Sequence, residues 1–203
     1  MIKITTFKQG ELLTNSIILQ QENKCVIVDV PFNSVDVQNY ILANQLCIKA
    51  VLLTHGHFDH CGGVHQLLRK CKFESAPIYV SEKDMLLCRG AKNNKWGIVC
   101  DDCYSTDIVR EGKLFVDNFS FDVLETPGHT AGSVVYIIGD YLISGDTLFN
   151  KSVGRTDFEE SCPNLMASSL KKLASLDKNY VVLCGHGNQT TLFYEKQNNI
   201  YLR

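Results

Sequence analysis

The sequence has no marked excess of charge: its 203 residues hold 20 Lys and Arg against 22 Asp and Glu, a formal net charge of -2. That balance gives no broad field to hold nucleic acid or an anionic membrane surface, so neither is expected as a partner. No run reaches the roughly 18 apolar residues that cross a bilayer, because charges or turn residues interrupt every hydrophobic stretch. The start, Met1-Ile2-Lys3-Ile4-Thr5, reads as a strand and lacks the features of a secretory leader, so a soluble cytoplasmic protein is expected. Neither glycine-rich nucleotide fingerprint follows a strand, which argues against the usual nucleotide-dependent oxidoreductases. The pair Cys100 and Cys103 has metal-knuckle spacing but no second CxxC to close a zinc site. Nine cysteines, odd in number and irregularly spaced, make a poor disulfide framework. They read as reduced thiols, and Cys61 as a small core hydrophobe.

What is present suits a folded chain. With 45% hydrophobic residues, the length fits one sizeable domain over residues 1–203. Short β-rich runs at 2–6, 16–19 and 25–29 predict an antiparallel meander that breaks at Pro31. Val37, Ile41, Leu42 and Leu46 recur at helical spacing over 35–46, with Ser34 available as N-cap. Residues 50–54 form an apolar run too short for a helix, a buried strand whose end delivers His55. A helix over 62–70, with His65 on its wet side, a strand over 78–80 and a helix over 81–87 capped by Ser81 follow. Periodicity is lost over 89–112, which predicts a long loop or lid containing Trp96. Strands over 119–125, 134–138 and 141–144 come next, the last two joined by a tight Gly139-Asp140 turn. An amphipathic helix over 165–176 and a strand over 181–183 close the pattern. It is compatible with several α/β layer architectures.

The chemistry concentrates at strand ends. Thr54-His55-Gly56-His57-Phe58-Asp59-His60 puts three of six histidines and an aspartate directly after a strand. In an extended segment residues two apart face one way, so His55 and His57 suit one metal while Asp59 and His60, further along, suit a second. His129 in Thr126-Pro127-Gly128-His129-Thr130, Asp146 in Ser144-Gly145-Asp146-Thr147 and His186 in Cys184-Gly185-His186-Gly187 all follow strands and sit beside glycine, which lets the backbone approach an ion. A lone histidine is usually a packed or solvated residue. Seven positions converging on strand ends are not explained that way.

These motifs, together with Gly154-Arg155-Thr156-Asp157, resemble the metallo-β-lactamase superfamily, specifically its glyoxalase II-like hydrolases. The resemblance runs from Thr54 to Gly187 and extends to Thr190-Thr191-Leu192 and Glu195-Lys196. It implies a four-layer αββα sandwich with the site at the sheet edges. It also implies two divalent metal ions, zinc first, with iron and manganese equally suited to His and Asp ligands. His55, His57 and His129 would hold the first, Asp59, His60 and His186 the second, and Asp146 would bridge them. A metal-bound hydroxide would then attack the substrate, oriented by Asp59 or Asp146. β-Lactamases with cysteine at the place of Asp146 are a poorer match, so antibiotic hydrolysis is not expected.

The implied substrate is a small-molecule thioester, an S-acylglutathione such as S-lactoylglutathione. Full-length glyoxalase II carries a C-terminal helical domain that helps bind glutathione, whereas this chain ends at Arg203. Arg155 is the candidate anchor for a substrate carboxylate, against a bracing pair with Asp157. Three other readings remain: a persulfide dioxygenase with one iron on His55, His129 and Asp146, another ester or lactone hydrolase, and a noncatalytic binding module. The filled ligand set disfavours the last.

Overall fold

The computed structural model describes residues 2–202. β1 (Lys3–Gln9), β2 (Thr14–Gln21) and β3 (Lys24–Val28) form the expected antiparallel meander. β4 (Cys47–Leu52), β5 (Ile78–Ser81) and β6 (Asp107–Val109) extend it in parallel, giving a six-stranded sheet in sequence order. The second sheet begins with the antiparallel run β7 (Gly112–Val116), β8 (Phe119–Glu125), β9 (Val134–Ile138) and β10 (Tyr141–Gly145). A small hairpin, β11 (Leu148–Phe149) with β12 (Ser152–Val153), precedes β13 (Val181–Cys184) and β14 (Thr190–Thr191), which complete that sheet beyond β10.

Strand alternation sorts side chains into three cores, because neighbouring residues of a strand face opposite sides. Ile17, Leu19, Val26, Val28, Ala50 and Leu52 meet Phe119, Phe121, Val123, Val134, Tyr136 and Ile138 between the two sheets. The alternate residues Ile18, Cys25, Ile27 and Val51 face outward onto α1 (Val35–Ala43) and, beyond a short helix α2 (Phe58–Cys61), onto α3 (Val64–Cys71). After α4 (Met85–Arg89) and the second sheet's strands, α5 (Pro163–Ala174) and α6 (Leu192–Asn198) cover Val135, Ile137, Leu142 and Val182. Three cores between four layers are the αββα sandwich that the resemblance implies. Tyr136 is wholly buried between the sheets, where an unbonded hydroxyl would cost about 1–3 kcal/mol. Its OH donates to Leu53 O at 2.8 Å, tying the second sheet to the strand end that carries His55.

Several local expectations shift. The helix over 35–46 stops at Ala43, and Gln45 takes a left-handed φ of 49° so that Leu46 turns into the core. Ser34 does not cap it; its hydroxyl donates to Pro31 O at 2.5 Å. Ser81 makes no side-chain cap either, and a 3-10 turn precedes α4. Asp59 and His60 sit on α2 rather than further along an extended segment. The 89–112 segment is irregular for most of its length but contributes β6 and the first residue of β7. His65 is not simply solvated: its Nε2 accepts the Tyr104 N–H at 3.0 Å, fastening that segment to α3. No helix among the described residues is long and apolar enough to cross a membrane.

Candidate metal centre

Four strand ends meet at one rim of the sandwich. The turn after β4 carries His55 and His57, and α2 carries Asp59 and His60. His129 lies between β8 and β9, Asp146 follows β10, and His186 follows β13. The structure thus brings together all seven residues singled out as ligands. Three triads form, each with its donor atoms within 4.8 Å: His55, His57 and His129; Asp59, His60 and His186; and His55, His60 and Asp146.

In the first triad His57 Nδ1 lies 3.1 Å from His55 Nε2 and 2.9 Å from His129 Nε2. In the second, His186 Nε2 lies 3.2 Å from His60 Nε2 and 3.2 Å from Asp59 Oδ2. Asp146 stands between them, with Oδ1 3.4 Å from His60 and Oδ2 3.5 Å from His129 and 3.6 Å from His186. Ligands on a tetrahedral ion with bonds of about 2.0–2.1 Å stand about 3.3–3.4 Å apart, close to this spacing.

The outer ring nitrogens show why these contacts are not ordinary hydrogen bonds. His55 Nδ1 donates to Thr54 Oγ1 at 3.0 Å, since that hydroxyl already gives its own proton to Asp29 Oδ2. His57 Nε2 donates to Glu160 Oε1 at 2.8 Å, and His60 Nδ1 to Asp29 Oδ2 at 2.8 Å. His129 Nδ1 donates to Arg155 O at 2.8 Å, and His186 Nδ1 to Leu12 O at 3.1 Å. Each of the five clustered histidines therefore has one ring proton committed outward, and its inner nitrogen is the atom that would face a cation or, on His60, a second proton. In the first triad, inward lone pairs at these separations repel unless a cation lies among them.

The charges point the same way. Burial and the neighbouring histidines press His55 well below its usual range, keeping its ring neutral. Burial also opposes charge on His60, but Asp59, Asp146 and Asp29 outweigh it and hold this group up at about 10. The second pole thus favours positive charge strongly. Asp146 Oδ1 is buried and accepts no hydrogen bond among the described residues, leaving His60 Nε2 at 3.4 Å as its charged neighbour. The donor set fits two divalent cations.

Two glycines allow this closeness. A Cβ on Gly185 would sit 2.2 Å from Asp146 Oδ1, and Gly145, at φ 50°, would meet the Thr54 side chain at 2.4 Å. Further bracing comes from Asp84, buried and unsuspected in the sequence. It accepts the amides of Gly56 and Gly132 and the Thr130 hydroxyl, at 2.6–2.8 Å, so it clamps the His55 turn to the His129 turn. Asp29, Glu160, Thr14 and Thr54 were also missed. Asp29 alone had a readable signal, as the carboxylate closing the apolar run Cys25–Val28.

A cavity of about 430 Å³ opens over the centre, lined by Leu12, Phe58, Trp96, Phe149, Phe158 and Arg155 among others. A second of about 300 Å³ adjoins it across Phe58 and Asp59. Both fall near or within the range of small-molecule sites. Trp96 sits 5.3 Å from Phe58 and 5.7 Å from Phe158, so the irregular segment forms one wall. The Arg155 guanidinium lies 4.5 Å from the Phe158 ring centre and forks onto Asp157 at 2.6 Å from both Nε and Nη2. Cys61 is buried with Sγ against Gly56 O, and Cys100 and Cys103 are both free thiols.

The sequence model of the metallo-beta-lactamase superfamily matches residues 9–186. The chain belongs to the metallo-beta-lactamase superfamily. It is 31% identical to a probable metallo-hydrolase of Bacillus subtilis, YqgX, over 95% of this chain and 94% of that one. The hydroxyacylglutathione hydrolase GloC of Haemophilus influenzae is 32% identical, with 100% of this chain and 96% of its own length covered. A hydroxyacylglutathione hydrolase of Pectobacterium carotovorum is 34% identical over 84% of this chain, which spans 60% of that longer protein. Among solved structures, the BLEG-1 B3 metallo-beta-lactamase superposes with a TM-score of 0.90 at 30% identity, covering 98% of this chain and 99% of its own. TTHA1623 in a di-iron-bound form gives 0.88 at 32%, covering 98% and 100%. ETHE1 from Myxococcus xanthus gives 0.75 at 26%, covering 98% and 83%. Within the metallo-beta-lactamase superfamily this chain is a metal-dependent hydrolase.

Proposed function

We propose that this chain hydrolyses a thioester, an S-acylglutathione such as S-lactoylglutathione, with His55, His57, His129, Asp59, His60, His186 and Asp146 holding two divalent cations, zinc first. The observation that carries this reading is the double pole with its shared carboxylate, in a chain similar over its full length to a hydroxyacylglutathione hydrolase. Divalent cations supply Lewis acidity, which ionises water near neutral pH and polarises a carbonyl.

The protein's own groups do the rest. Asp59 Oδ2, which accepts the Thr14 hydroxyl at 3.2 Å, and Asp146, whose Oδ1 is buried, orient the attacking water. Water adds to the carbonyl carbon, the C–S bond breaks, and acid and thiol leave. Phe58, Trp96, Phe149 and Phe158 exclude bulk water and hold the apolar parts of the substrate. Arg155 offers its guanidinium at the mouth to a carboxylate of the glutathione arm.

The test is thiol release from S-lactoylglutathione by protein loaded with zinc, iron or manganese in turn. Silence toward every acylglutathione with all three metals would remove the assignment. Hydrolysis of a β-lactam instead would move the chain to the activity named for BLEG-1. Oxygen uptake with glutathione persulfide, one iron per chain and no effect of His186→Ala would favour a dioxygenase on His55, His129 and Asp146. The likeness to ETHE1 is what keeps that second reading open.

A further inference from the structure

Each pole has one histidine backed by a carboxylate. At the second pole it is His60 on Asp29, and at the first it is His57 on Glu160, both at 2.8 Å. The remaining outer protons go to neutral oxygens, the Thr54 hydroxyl and the carbonyls of Arg155 and Leu12. Two dications bring four positive charges to a site whose inner ligands include only two carboxylates, Asp59 and Asp146. Asp29 and Glu160 bring further negative charge behind His60 and His57. Uncompensated charge in a poorly hydrated site is costly, so the outer carboxylates belong to the charge balance of the centre.

Glu160 also sits on a strap that grips the first pole. Along this strap Arg155 O takes the His129 proton, Ser161 Oγ donates to His129 O at 2.6 Å, and Cys162 N donates to Gly128 O at 2.8 Å. The Phe158 ring lies across His57 and His129, at 5.3 and 5.8 Å between ring centres. Glu160 makes the strap's charged contact with a ligand ring. Its side chain is 32% exposed, whereas that of Asp29 is 2% exposed.

We propose that Glu160 is the positioning residue of the first pole. It holds His57 in the tautomer that turns Nδ1 inward and adds negative charge beside the first pole. This inference rests on the seven-residue metal site and not on the thioester reading, because its test reads metal rather than turnover.

The experiment is chelator competition on the metal-loaded protein, followed by elemental analysis, for Glu160→Ala, Glu160→Gln and the neighbouring control Glu159→Ala. In Glu160→Ala one of the two ions is expected to leave at a chelator concentration roughly 10–100-fold lower than in the wild type, with the other ion unchanged. The ion that leaves should be the one lost in His57→Ala. Gln keeps an acceptor oxygen and drops the charge, so it should fall between, and Glu159→Ala should match the wild type. Wild-type retention of both ions in Glu160→Ala overturns the proposal. So does an equal weakening of both ions with a lowered melting temperature, which would make Glu160 part of the scaffold.

Discussion

Asp29 joins His60 to the turn that carries His55: one carboxylate oxygen accepts the Thr54 amide at 2.8 Å, and the other accepts the Thr54 hydroxyl and His60 Nδ1 at 2.7 and 2.8 Å. Its backbone holds a left-handed φ of 56°, a conformation that aspartate and asparagine tolerate better than most side chains. Asp29→Ala should therefore cost stability twice, through strain and through three donors left without an acceptor, by about 2–4 kcal/mol. Asp29→Asn keeps the backbone but sets an NH2 against donors. It should fold, with weaker metal at the second pole. Denaturant unfolding and elemental analysis separate the two, and an unchanged midpoint in the Ala variant would refute the first expectation.

Removing the metal should uncover a pH dependence. His60 is held up from 6.5 to about 10 by Asp59, Asp146 and Asp29 against the opposing effect of burial. A raised folded-state value means that the protonated ring stabilises the stripped fold fully below about 6.5. That contribution is lost as pH rises toward 10. Stripped protein should lose melting temperature from pH 7 to pH 10, and metal-loaded protein should lose much less. Parallel curves for the two forms would count against cation and proton competing for this place.

Asp146→Ala should lose metal and activity together, since the carboxylate faces both poles and offsets the repulsion between two dications. Asn should be only partly tolerated. Near-normal turnover with two ions per chain in the Ala variant would show that Asp146 does not bridge.

Arg155→Ala should raise KM roughly tenfold for an acylglutathione with kcat and metal content little changed, if the guanidinium exchanges Asp157 for a substrate carboxylate. The substitution leaves the backbone oxygen that holds His129 in place. A lower melting temperature at unchanged KM would assign the residue to its pair with Asp157.

The ligand residues were legible because each lies at a strand end in a short motif, and strands running to one rim of a sandwich bring such ends together. Their outer partners were not. Asp29 and Glu160 lie 31 and 103 residues from the histidines they hold, and only the fold relates them. The long apolar strands and α5 were legible from periodicity. β6 has three residues, β11, β12 and β14 have two each, and α6 has seven, too few for a period to stand out. Ser34 and Ser81 looked like caps, but their residue type could not show that the hydroxyl of Ser34 would turn back to Pro31.

Neither sheet alone completes a pole. The first needs His129 from the second sheet beside His55 and His57, and the second needs His186 beside Asp59 and His60. A ribosome making this chain from its N-terminus delivers the first four ligands long before the last. Until residue 186 has emerged and the sheets have docked, the nascent protein lacks its second pole. The order of synthesis would thus defer capture of a full metal pair until the two halves are together, and bound ions would then lock segments made early to segments made late.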